Sequence, residues 1–452
     1  MALTKASYSM IKGAPINVLD YGADPTGVAD STAAIQAALD ASNTSVVVFP
    51  IGDYRITDTL TVTYSTGTGA IEWSSVNLKG YGFGSNIQWF GGNNKPMIEY
   101  VGVNGKGFYT NTIIEGLHLS VENSATGVTG LLFGDLSNVV DTLSGVGNVT
   151  IRNNIIYYCD TGIHTWVESD EFTIIDNHIR VHQNYGIRNE GGSGYLIARN
   201  HIQDGDADSL GIYSGFTAIT ITSNVIQSYT NIRGIFIEGA RGFSITDNYS
   251  ESVVQSSEYF IKLKNSTAGY IGQNEMGGYV DANLIKIETT SNVQIASNWH
   301  SQSAGFINSL VNIDGASTGI ALLGKQGTSG VVNTIIGDPV IYIQAGVNQG
   351  LKFNTTSGAQ TLDASGGVTP TKTLFTITAG AAYLVTAQEA NFGSTASGMF
   401  VAYGTATTAE YFSIGSTGGT GISLSVSGLN LRATNNNPAG QLTVGWTAIR
   451  IY

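Results

Sequence analysis

A short segment repeats through the middle of the chain, and this repeat constrains the fold more than any other feature. Each copy has apolar residues at alternate positions followed by an Asn, and the Asn recurs every 23 to 26 residues. The repeated positions are Asn153, Asn177, Asn200, Asn224, Asn248, Asn274 and Asn298. A fixed period of this length predicts a solenoid, in which each unit buries its apolar face only by stacking on its neighbours. Alternation with a period of two predicts that the units are built from strands.

The Asn at the same point of every repeat predicts a ladder inside the stack. Asn tolerates the left-handed backbone region better than other residues with a side chain, and its amide can bond to the backbone at a bend. Asn residues in register would sit at the same bend of successive coils, about 4.8 Å apart, where their amides can bond to one another. A general preference of Asn for turns would explain one such position but not seven in register.

A second series runs in step with the Asn series and completes the coil. Its members read GIHTW, GIRNE, GIYSG, GIFIE, FIKLK, LIKIE and LVNID, and they begin at residues 162, 186, 211, 234, 260, 284 and 310. Each repeat therefore holds a strand before the Asn, a strand directly after it and this third strand. Three strands per repeat predict an all-β parallel β-helix.

The repeat divides the chain into regions. Residues 17–314 form the predicted β-helix, and residues 17–90 form its N-terminal cap, with an amphipathic helix that covers the open end of the stack. Residues 1–16 predict either a frayed terminus or an attachment peptide that orders on a partner. Residues 315–369 are Gly-rich and predict a linker or trimerisation region, and residues 370–452 predict an antiparallel β-sandwich for trimerisation or carbohydrate binding.

The composition fits stacked coils and excludes several classes of function. Only 12% of the residues are charged and 58 are Gly, and the net charge of −13 argues against nucleic acid as a partner. No apolar run approaches 18 residues and no signal-peptide core is visible, so we expect no membrane insertion and no standard secretion signal. The lone Cys159 excludes an intrachain disulfide. The His residues show no ligand spacing, so we expect neither a metal nor a cofactor.

The segment that begins the predicted β-helix resembles a known family. Its landmarks are Asn17, Asp20, Gly22, Asp24, Gly27, Asp30, Leu39, Phe49, Pro50, Gly52, Tyr54, Leu78, Gly80, Gly82, Gly84 and Ser85. This order resembles the start of pectate-lyase-like, right-handed parallel β-helix proteins. The preceding SYSMIKGAP (residues 7–15) resembles the junction ahead of such a helix in bacteriophage tailspikes and tail fibres. The likeness covers residues 7–315 and indicates the fold more than the reaction, because the superfamily includes lyases, hydrolases and non-enzymes.

The resemblance implies a homotrimeric phage tailspike depolymerase, located in the virion and acting outside the cell. Such a protein would attach to a phage tail or adaptor protein through its N-terminus. It would bind and cleave a bacterial surface polysaccharide, capsule or O-antigen, with an endo-glycosidase favoured over a lyase. The alternatives are a receptor-binding fibre without enzymatic activity and a polysaccharide lyase that acts by β-elimination, including a cellular polyuronate lyase.

The third strand of each coil presents two columns of outward residues. Counting from the first Ile of each member, the residues one and three positions later point outward. The first column is His164, Arg188, Tyr213, Phe236, Lys262, Lys286 and Asn312. The second column is Trp166, Glu190, Gly215, Glu238, Lys264, Glu288 and Asp314. In pectate-lyase-like enzymes this strand lines the substrate groove, so the resemblance implies that these columns do the same.

Glu190 and Glu238 are the candidate catalytic residues. Two inter-strand steps separate their backbones by about 9.6 Å. Their side chains could bring the carboxyls to the roughly 6.5–9.5 Å that suits an inverting glycosidase, with Gly215 leaving room for a water. One Glu would protonate the leaving oxygen and the other would activate the water. The competing interpretation is that outward Glu residues on a solenoid serve only solubility.

Residues beside the two carboxylates are candidates for substrate binding. Trp166, Tyr213 and Phe236 offer flat rings that can stack on sugars, or that otherwise pack under loops or a second subunit. His164 and Arg188 add polar groups, and in a lyase Arg188, His164 and Tyr213 would supply the base and the charge neutraliser for a uronate.

Loop carboxylates offer a rival site between subunits. These are Glu168, Asp170, Asp206 and Asp208, of which Asp206 and Asp208 are also candidates for substrate binding.

Overall fold

The chain forms two compact units, one of which contains the repeats. The computed structural model describes residues 13–42, 45–64, 71–73, 75–102, 107–134, 145–167, 169–215, 218–229, 233–252, 259–277, 283–296, 298–300 and 309–322, and beyond these only the strands between residues 327 and 451. The first unit comprises Met1–Ala316 and Leu323–Gly337, and the second comprises Ser317–Leu322 and Asp338–Tyr452.

The first unit winds through three parallel sheets, which confirms the parallel β-helix. Sheet 1 contains the strands before the Asn: Ile16–Asn17, Val46–Val48, Ile71–Trp73, Asn77–Lys79, Gly107–Glu115, Val146–Arg152, Asp170–Ile175, Tyr195–Ala198, Ile219–Thr222, Arg241–Thr246, Thr267–Gly272, Ser291–Ile295 and Ala321–Leu322. Sheet 2 contains the strands after it: Thr26–Asp30, Gly52–Ile56, Ser85–Trp89, His118–Val121, Ile155–Tyr157, His178–Arg180, His201–Gln203, Val225–Ser228, Tyr249–Ser252, Glu275–Gly277, Trp299–His300 and Gly327–Thr328. Sheet 3 contains the third strands: Leu60–Tyr64, Pro96–Gly102, Thr129–Phe133, Thr161–Thr165, Tyr185–Asn189, Leu210–Gly215, Arg233–Glu238, Tyr259–Lys264, Asn283–Glu288, Ser309–Ile313 and Ile335–Gly337.

The strands stack in the register that the repeat predicts. In sheet 3, Ile163 pairs with Ile187, and Ile187 pairs with Ile212. These side chains are fully buried, because an inward position in one coil faces the same inward position in the next. Identical apolar residues therefore form continuous columns inside the helix. The parallel pairing also runs past residue 314, since Ile313 pairs with Gly337.

An Asn ladder runs through the interior and is confirmed, with one correction to its members. Asn177 donates from both its backbone nitrogen and its side-chain amide to Oδ1 of Asn200, at 3.1 and 3.0 Å. The same pair of bonds recurs at each step as far as Asn298. The first rung is Asn154, which is 1% exposed and donates to Asn177, whereas Asn153 lies outside at the surface.

The left-handed bend lies one residue before each rung from Asn154 to Asn274, so the expectation that the ladder Asn occupies it is wrong. Asn153 has φ 55° and Asp176 has φ 58°, and each directly precedes a rung. The corresponding positions before the later rungs are Arg199, Ser223, Asp247 and Gln273. The rung is therefore selected for its hydrogen bonds, and its neighbour accommodates the bend.

The predicted capping helix is Thr32–Asp40, and it covers the first strand of sheet 3. Ile35, Ala38 and Leu39 are buried on its inner face. The Gln36 amide accepts from the backbone N–H of Thr61 at 2.9 Å and donates to its carbonyl at 2.8 Å. These bonds satisfy backbone groups at the edge of the sheet that would otherwise be open to pairing. The described residues also contain the 3-10 turns Val18–Tyr21 and Gly82–Gly84.

The described strands of Asp338–Tyr452 in the second unit form two antiparallel sheets, in agreement with the predicted all-β C-terminal region. The larger sheet has the order Ile341–Ile343, Leu351–Asp363, Gln441–Ile451, Ala382–Glu389, Ser397–Gly404 and Ala409–Thr417. The smaller sheet has the order Thr371–Thr376, Asn430–Asn435 and Ile422–Ser427. Residues 1–12 of the predicted attachment peptide lie outside the described residues. The attachment and trimerisation roles of these regions stay predictions.

Candidate functional site

The two outward columns of sheet 3 lie in the predicted register and form one strip. His164 pairs with Arg188, and Arg188 pairs with Tyr213 in the next coil. Tyr213 in turn pairs with Phe236, while Gly215 pairs with Glu238. The strip therefore brings the sequence-predicted side chains of the third strands onto consecutive coils. We call it the sheet 3 strip, comprising the two columns from His164 to Lys264.

Glu190 is the most strongly held carboxyl of the strip. It follows strand Tyr185–Asn189, and its backbone N–H donates to the carbonyl of Thr165 at 2.9 Å. Its Oε2 lies 2.7 Å from Nε2 of His164, and its Oε1 accepts a bond from the Arg188 guanidinium. Burial by itself raises the pKa of Glu190, but the bonds to His164 and the charge of Arg188 outweigh it and hold the pKa below its usual value. Glu190 is therefore a carboxylate at neutral pH.

His164 is covered, contrary to the expectation of an outward substrate-binding residue. Its side chain is only 5% exposed, and its ring meets Trp166 edge-to-face at 5.6 Å. Burial lowers the pKa of His164 despite the hydrogen bond to Glu190, so the ring is neutral and donates from Nε2 to the carboxylate. His164 thus positions Glu190 from below. Trp166 is partly exposed, and its Nε1 is buried without a partner among the described residues.

Tyr213 occupies the space over Gly215 that sequence reasoning assigned to a water. Its hydroxyl oxygen lies 3.2 Å from the point where a Cβ at residue 215 would stand. Burial raises the pKa of Tyr213 to about 12, and the charges of Glu238 and Glu190 add to the effect. The phenol therefore lies in the field of both carboxylates. A Cβ at residue 215 would therefore be in tight contact with this hydroxyl, and the Tyr213 ring would have to shift by a few tenths of an ångström.

Glu238 has a cation partner of its own on the next coil. Lys264 Nζ lies 2.7 Å from Oε1 of Glu238, and this bond raises the pKa of Lys264. The side chain of Glu238 is 32% exposed, twice the 16% of Glu190. The two candidate carboxylates thus differ: Glu190 is enclosed by two partners, and Glu238 is held by one partner at the surface.

A row of aromatic rings crosses the strip, and sequence reasoning found only half of it. The centroid of Tyr213 lies 5.5 Å from that of Phe236 and 5.9 Å from that of Tyr185. Phe236 also meets Tyr259, at 6.3 Å. Tyr185 and Tyr259 both stand two residues before the aligned Ile of their strands. That position was the signal that sequence reasoning did not use.

Cations lie over the two ends of this row. The Arg188 guanidinium lies 4.8 Å from the centroid of Tyr185, and Lys262 Nζ lies 5.6 Å from that of Tyr259. Both contacts are within the range of a cation–π interaction. They fix the long side chains against the rings, so that the strip presents a preformed surface of aromatic faces and charges.

Two of the loop carboxylates, Asp206 and Asp208, lie at the opposite end of a sheet 3 strand from the candidate glutamates. Asp206 and Asp208 are exposed and precede strand Leu210–Gly215, whereas Glu190 and Glu238 stand at strand ends. A strand of this length spans about 20 Å, so they do not join the two glutamates. Asp208 lies 3.5 Å from the Arg233 guanidinium. Asp170 instead accepts a bond from Ser193, and Glu168 lies outside the described residues.

Neither a metal cluster nor a membrane-spanning helix occurs in the described ranges. No group of three His, Cys, Asp or Glu side chains comes together there as potential metal ligands. No helix of that part of the chain is long and apolar enough to cross a membrane.

Comparisons with known proteins agree with the coiled architecture. A family model described as "Rhamnogalacturonase A/epimerase, pectate lyase-like" matches residues 15–269. The structure of DFA-IIIase from Arthrobacter chlorophenolicus A6 in complex with GF2 is similar, with a TM-score of 0.52 and 15% identity over 74% of this chain and 85% of that chain. The tailspike protein of Acinetobacter baumannii phage AM24 gives a TM-score of 0.49 and 13% identity over 97% of this chain and 83% of that chain. None of the curated proteins matches the sequence significantly.

Proposed function

We propose that this chain, which belongs to the rhamnogalacturonase A/epimerase, pectate-lyase-like family, is a phage tailspike that binds and hydrolyses a bacterial surface polysaccharide, capsule or O-antigen. The protein acts as a homotrimer in the virion, outside the bacterial cell. Residues 1–16 attach it to the phage tail or an adaptor protein. The resemblance of residues 7–15 to the junction of tailspikes supports this placement.

The sheet 3 strip is the observation that supports the enzymatic part of the proposal. It combines a carboxylate held by His164 and Arg188, a second carboxylate two coils away, and a row of rings of which Tyr185, Tyr213 and Phe236 are partly exposed. Flat rings stack on the apolar faces of sugars, and carboxylates accept bonds from sugar hydroxyls. A surface that served only solubility would not need three neighbouring rings that are partly exposed.

The two carboxylates divide the roles of a hydrolysis between them. Glu190 takes the role of base, because its lowered pKa keeps it ionised and able to accept a proton from the attacking water. Glu238 then gives a proton to the oxygen of the leaving sugar. For that step Glu238 must first be separated from Lys264 by the bound substrate and take up a proton from solvent, which it then passes to the leaving oxygen. Tyr213 hydrogen-bonds a sugar hydroxyl between the two carboxyls.

β-Elimination is the less favoured chemistry at this strip. It needs a base that takes a proton from the sugar ring, beside a cation that neutralises the uronate carboxylate. Burial raises the pKa of Tyr213 to about 12, which makes the phenol a poor base at neutral pH. His164 is enclosed behind Glu190 and cannot reach the sugar. Arg188 remains a suitable neutraliser, so a lyase stays the alternative outcome of the test.

The test measures reducing-end release together with ultraviolet absorbance of unsaturated products on polysaccharides from susceptible bacteria. Glu190→Gln and Glu238→Gln should each abolish reducing-end release, and the wild type should produce no absorbance. Glu288→Gln is the matched control, because Glu288 stands in the same column and is paired with Lys262 and Lys286. It should cut like the wild type.

Other outcomes separate the alternatives. Absorbance that rises with the cuts would mean a lyase. Cutting that survives both substitutions would move the site to the loop carboxylates or between subunits. Binding without any cutting would leave a receptor-binding fibre. A mass of one chain by light scattering would contradict the trimer.

A further inference from the structure

A second cleft lies on another face of the coils, at the end of the sheet 2 strands. It has a volume of about 100 Å³, and it is lined by Gln203, Asp204, Gln227, Ser228, Tyr229 and Glu251. Gln203 pairs with Gln227, and Gln227 pairs with Glu251, so these three side chains stand side by side on consecutive coils. Sheet 2 and sheet 3 are separate faces of the helix, so this cleft is not part of the sheet 3 strip.

Histidines hold the two amides of the cleft in fixed orientations. Nε2 of His178 lies 2.9 Å from Oε1 of Gln203, and Nε2 of His201 lies 3.1 Å from Oε1 of Gln227. The two imidazole rings stack on each other at 5.0 Å with an angle of 10° between their planes. Burial lowers the pKa of His178, in keeping with a neutral ring that donates to the Gln oxygen. Each amide therefore directs its NH₂ group away from the histidines.

The carboxylates of the cleft are only half used by the protein. Oε2 of Glu251 accepts from Gln227 at 3.3 Å and from the Tyr249 hydroxyl at 2.9 Å. Oδ2 of Asp204 accepts from Arg180 Nε at 2.7 Å. Within the described ranges, Oε1 of Glu251, Oδ1 of Asp204 and Nε2 of Gln203 form no hydrogen bond with another side chain. One donor and two acceptors are thus preorganised around the same small space.

Tyr229 adds an aromatic face at the rim. It is 74% exposed and directly follows strand Val225–Ser228, whose Gln227 and Ser228 line the cleft. An exposed aromatic ring costs solubility unless a ligand or partner uses it. A ring beside fixed donors and acceptors is the arrangement that recognises a sugar, because one face of a pyranose is apolar and its rim carries hydroxyls.

We propose that this cleft is a second carbohydrate-binding site, which takes one neutral sugar with vicinal hydroxyls. Tyr229 stacks on the ring, Glu251 and Asp204 accept from two hydroxyls, and Gln203 donates to a third oxygen. The two carboxylates select against uronates by charge repulsion. The choice of a sugar as the ligand rests on the proposed function. By binding one sugar of a polysaccharide, the site would hold that chain on the particle independently of cleavage at the sheet 3 strip.

The experiment uses the full chain and ligand-observed saturation-transfer NMR with methyl glycosides of glucose, galactose and N-acetylglucosamine, and with glucuronate. The wild type should transfer saturation to at least one neutral glycoside and not to glucuronate. Tyr229→Ala should weaken that binding about tenfold, because it removes the stacking face. Glu251→Gln keeps the shape of the cleft and should also weaken the binding, whereas Tyr81→Ala should not. Tyr81 is a matched control, since it is another exposed tyrosine, at 58%.

The outcomes distinguish this site from the proposed enzyme. Loss of binding in Tyr229→Ala and Glu251→Gln with unchanged thermal midpoints would establish the cleft, even if no polysaccharide is cut. The absence of saturation transfer to every glycoside would overturn it, and so would unchanged binding in both variants. A loss in Glu190→Gln alone would assign the binding to the sheet 3 strip instead.

Discussion

The interior ladder and the sheet 3 strip both stack polar side chains, but the ladder repeats one residue type and the strip does not. Both place polar side chains on consecutive coils, about 4.8 Å apart. The ladder repeats one residue type, so that each amide bonds to its copy above and below, as Asn177 does with Asn200. The strip never repeats a pair: His164 faces Glu190, and Lys264 faces Glu238.

The difference follows from burial. A buried polar group must have its partners within the protein, and a repeated amide supplies them at every step because it both donates and accepts. A surface group can rely on water, so its identity is free to serve a ligand. Columns of one repeated residue therefore stabilise the solenoid, and columns of varied residues indicate the surface that binds a ligand. Substitutions in the ladder should therefore lower the stability of the fold more than substitutions in the strip.

The largest effect is expected at the first rung of the ladder. Asn154→Ala removes the acceptor of the Leu117 N–H and the donor to the Ile114 carbonyl, and both are buried. Two unsatisfied buried groups should lower the free energy of unfolding by about 4 kcal/mol in urea denaturation followed by fluorescence. Asn153→Ala is the matched control. It should cost only about 1 kcal/mol, from the left-handed backbone. Equal losses in the two variants would mean that the ladder contributes nothing beyond the bend.

The next largest effect on stability is expected at His182, a buried polar side chain that is not part of the Asn ladder. His182 is 1% exposed, and burial lowers its pKa to about 4 from a usual 6.5. The unfolded chain therefore binds the proton first, and the stability is lost as the pH falls from about 6.5 to about 4. A shift of this size corresponds to about 3 kcal/mol. His182→Gln should remove that part of the slope in unfolding experiments at stepped pH. An unchanged slope would assign the acid sensitivity to other groups.

An intermediate effect is expected at the enclosed ion pair of the strip. Arg188→Met removes a partner of Glu190 and the cation over Tyr185, but leaves His164 in place. Because the pair is only partly exposed, we expect a loss of about 2 kcal/mol, measured in the same urea assay. The pKa of Glu190 should rise in this variant, since the charge of Arg188 helps to hold it down. A loss as large as that of Asn154→Ala would mean that the strip stabilises the fold as much as the ladder does.

Sequence reasoning predicted the features that follow from the repeat, but it misplaced residues whose position depends on burial. The period, the three strands and the outward register all follow from alternation, and the structure has them. The two adjacent residues Asn153 and Asn154 cannot be told apart by period. Only the position of the bend shows which of them points inward. The same limit applies to His164, which has an outward register but is covered by Trp166 and Glu190.

The candidate site was predictable in its columns and not in its contacts. The pairing of Glu238 with Lys264 is visible in the second column, where they are neighbours. The bond from Glu190 to His164 is diagonal, since Glu190 stands two residues beyond Arg188, the partner of His164 in the register. Such a bond depends on side-chain rotamers that a pattern does not contain. The tilt of Tyr213 over Gly215 belongs to the same class.

The smallest effect is expected at the outer ion pair of the strip, and it gives the comparison its sharpest test. The side chains of Lys264 and Glu238 are 42% and 32% exposed. Water can therefore hydrate either charge when its ion-pair partner is removed. Lys264→Met should therefore leave the thermal midpoint unchanged within error at a fixed scan rate, while Arg188→Met lowers it. The variant keeps the methylene stem that lies along the strand, so packing is preserved. A midpoint that falls as far as in Arg188→Met would show that the outer strip stabilises the coils as the ladder does. In that case the irregular pairing could no longer be attributed to a ligand.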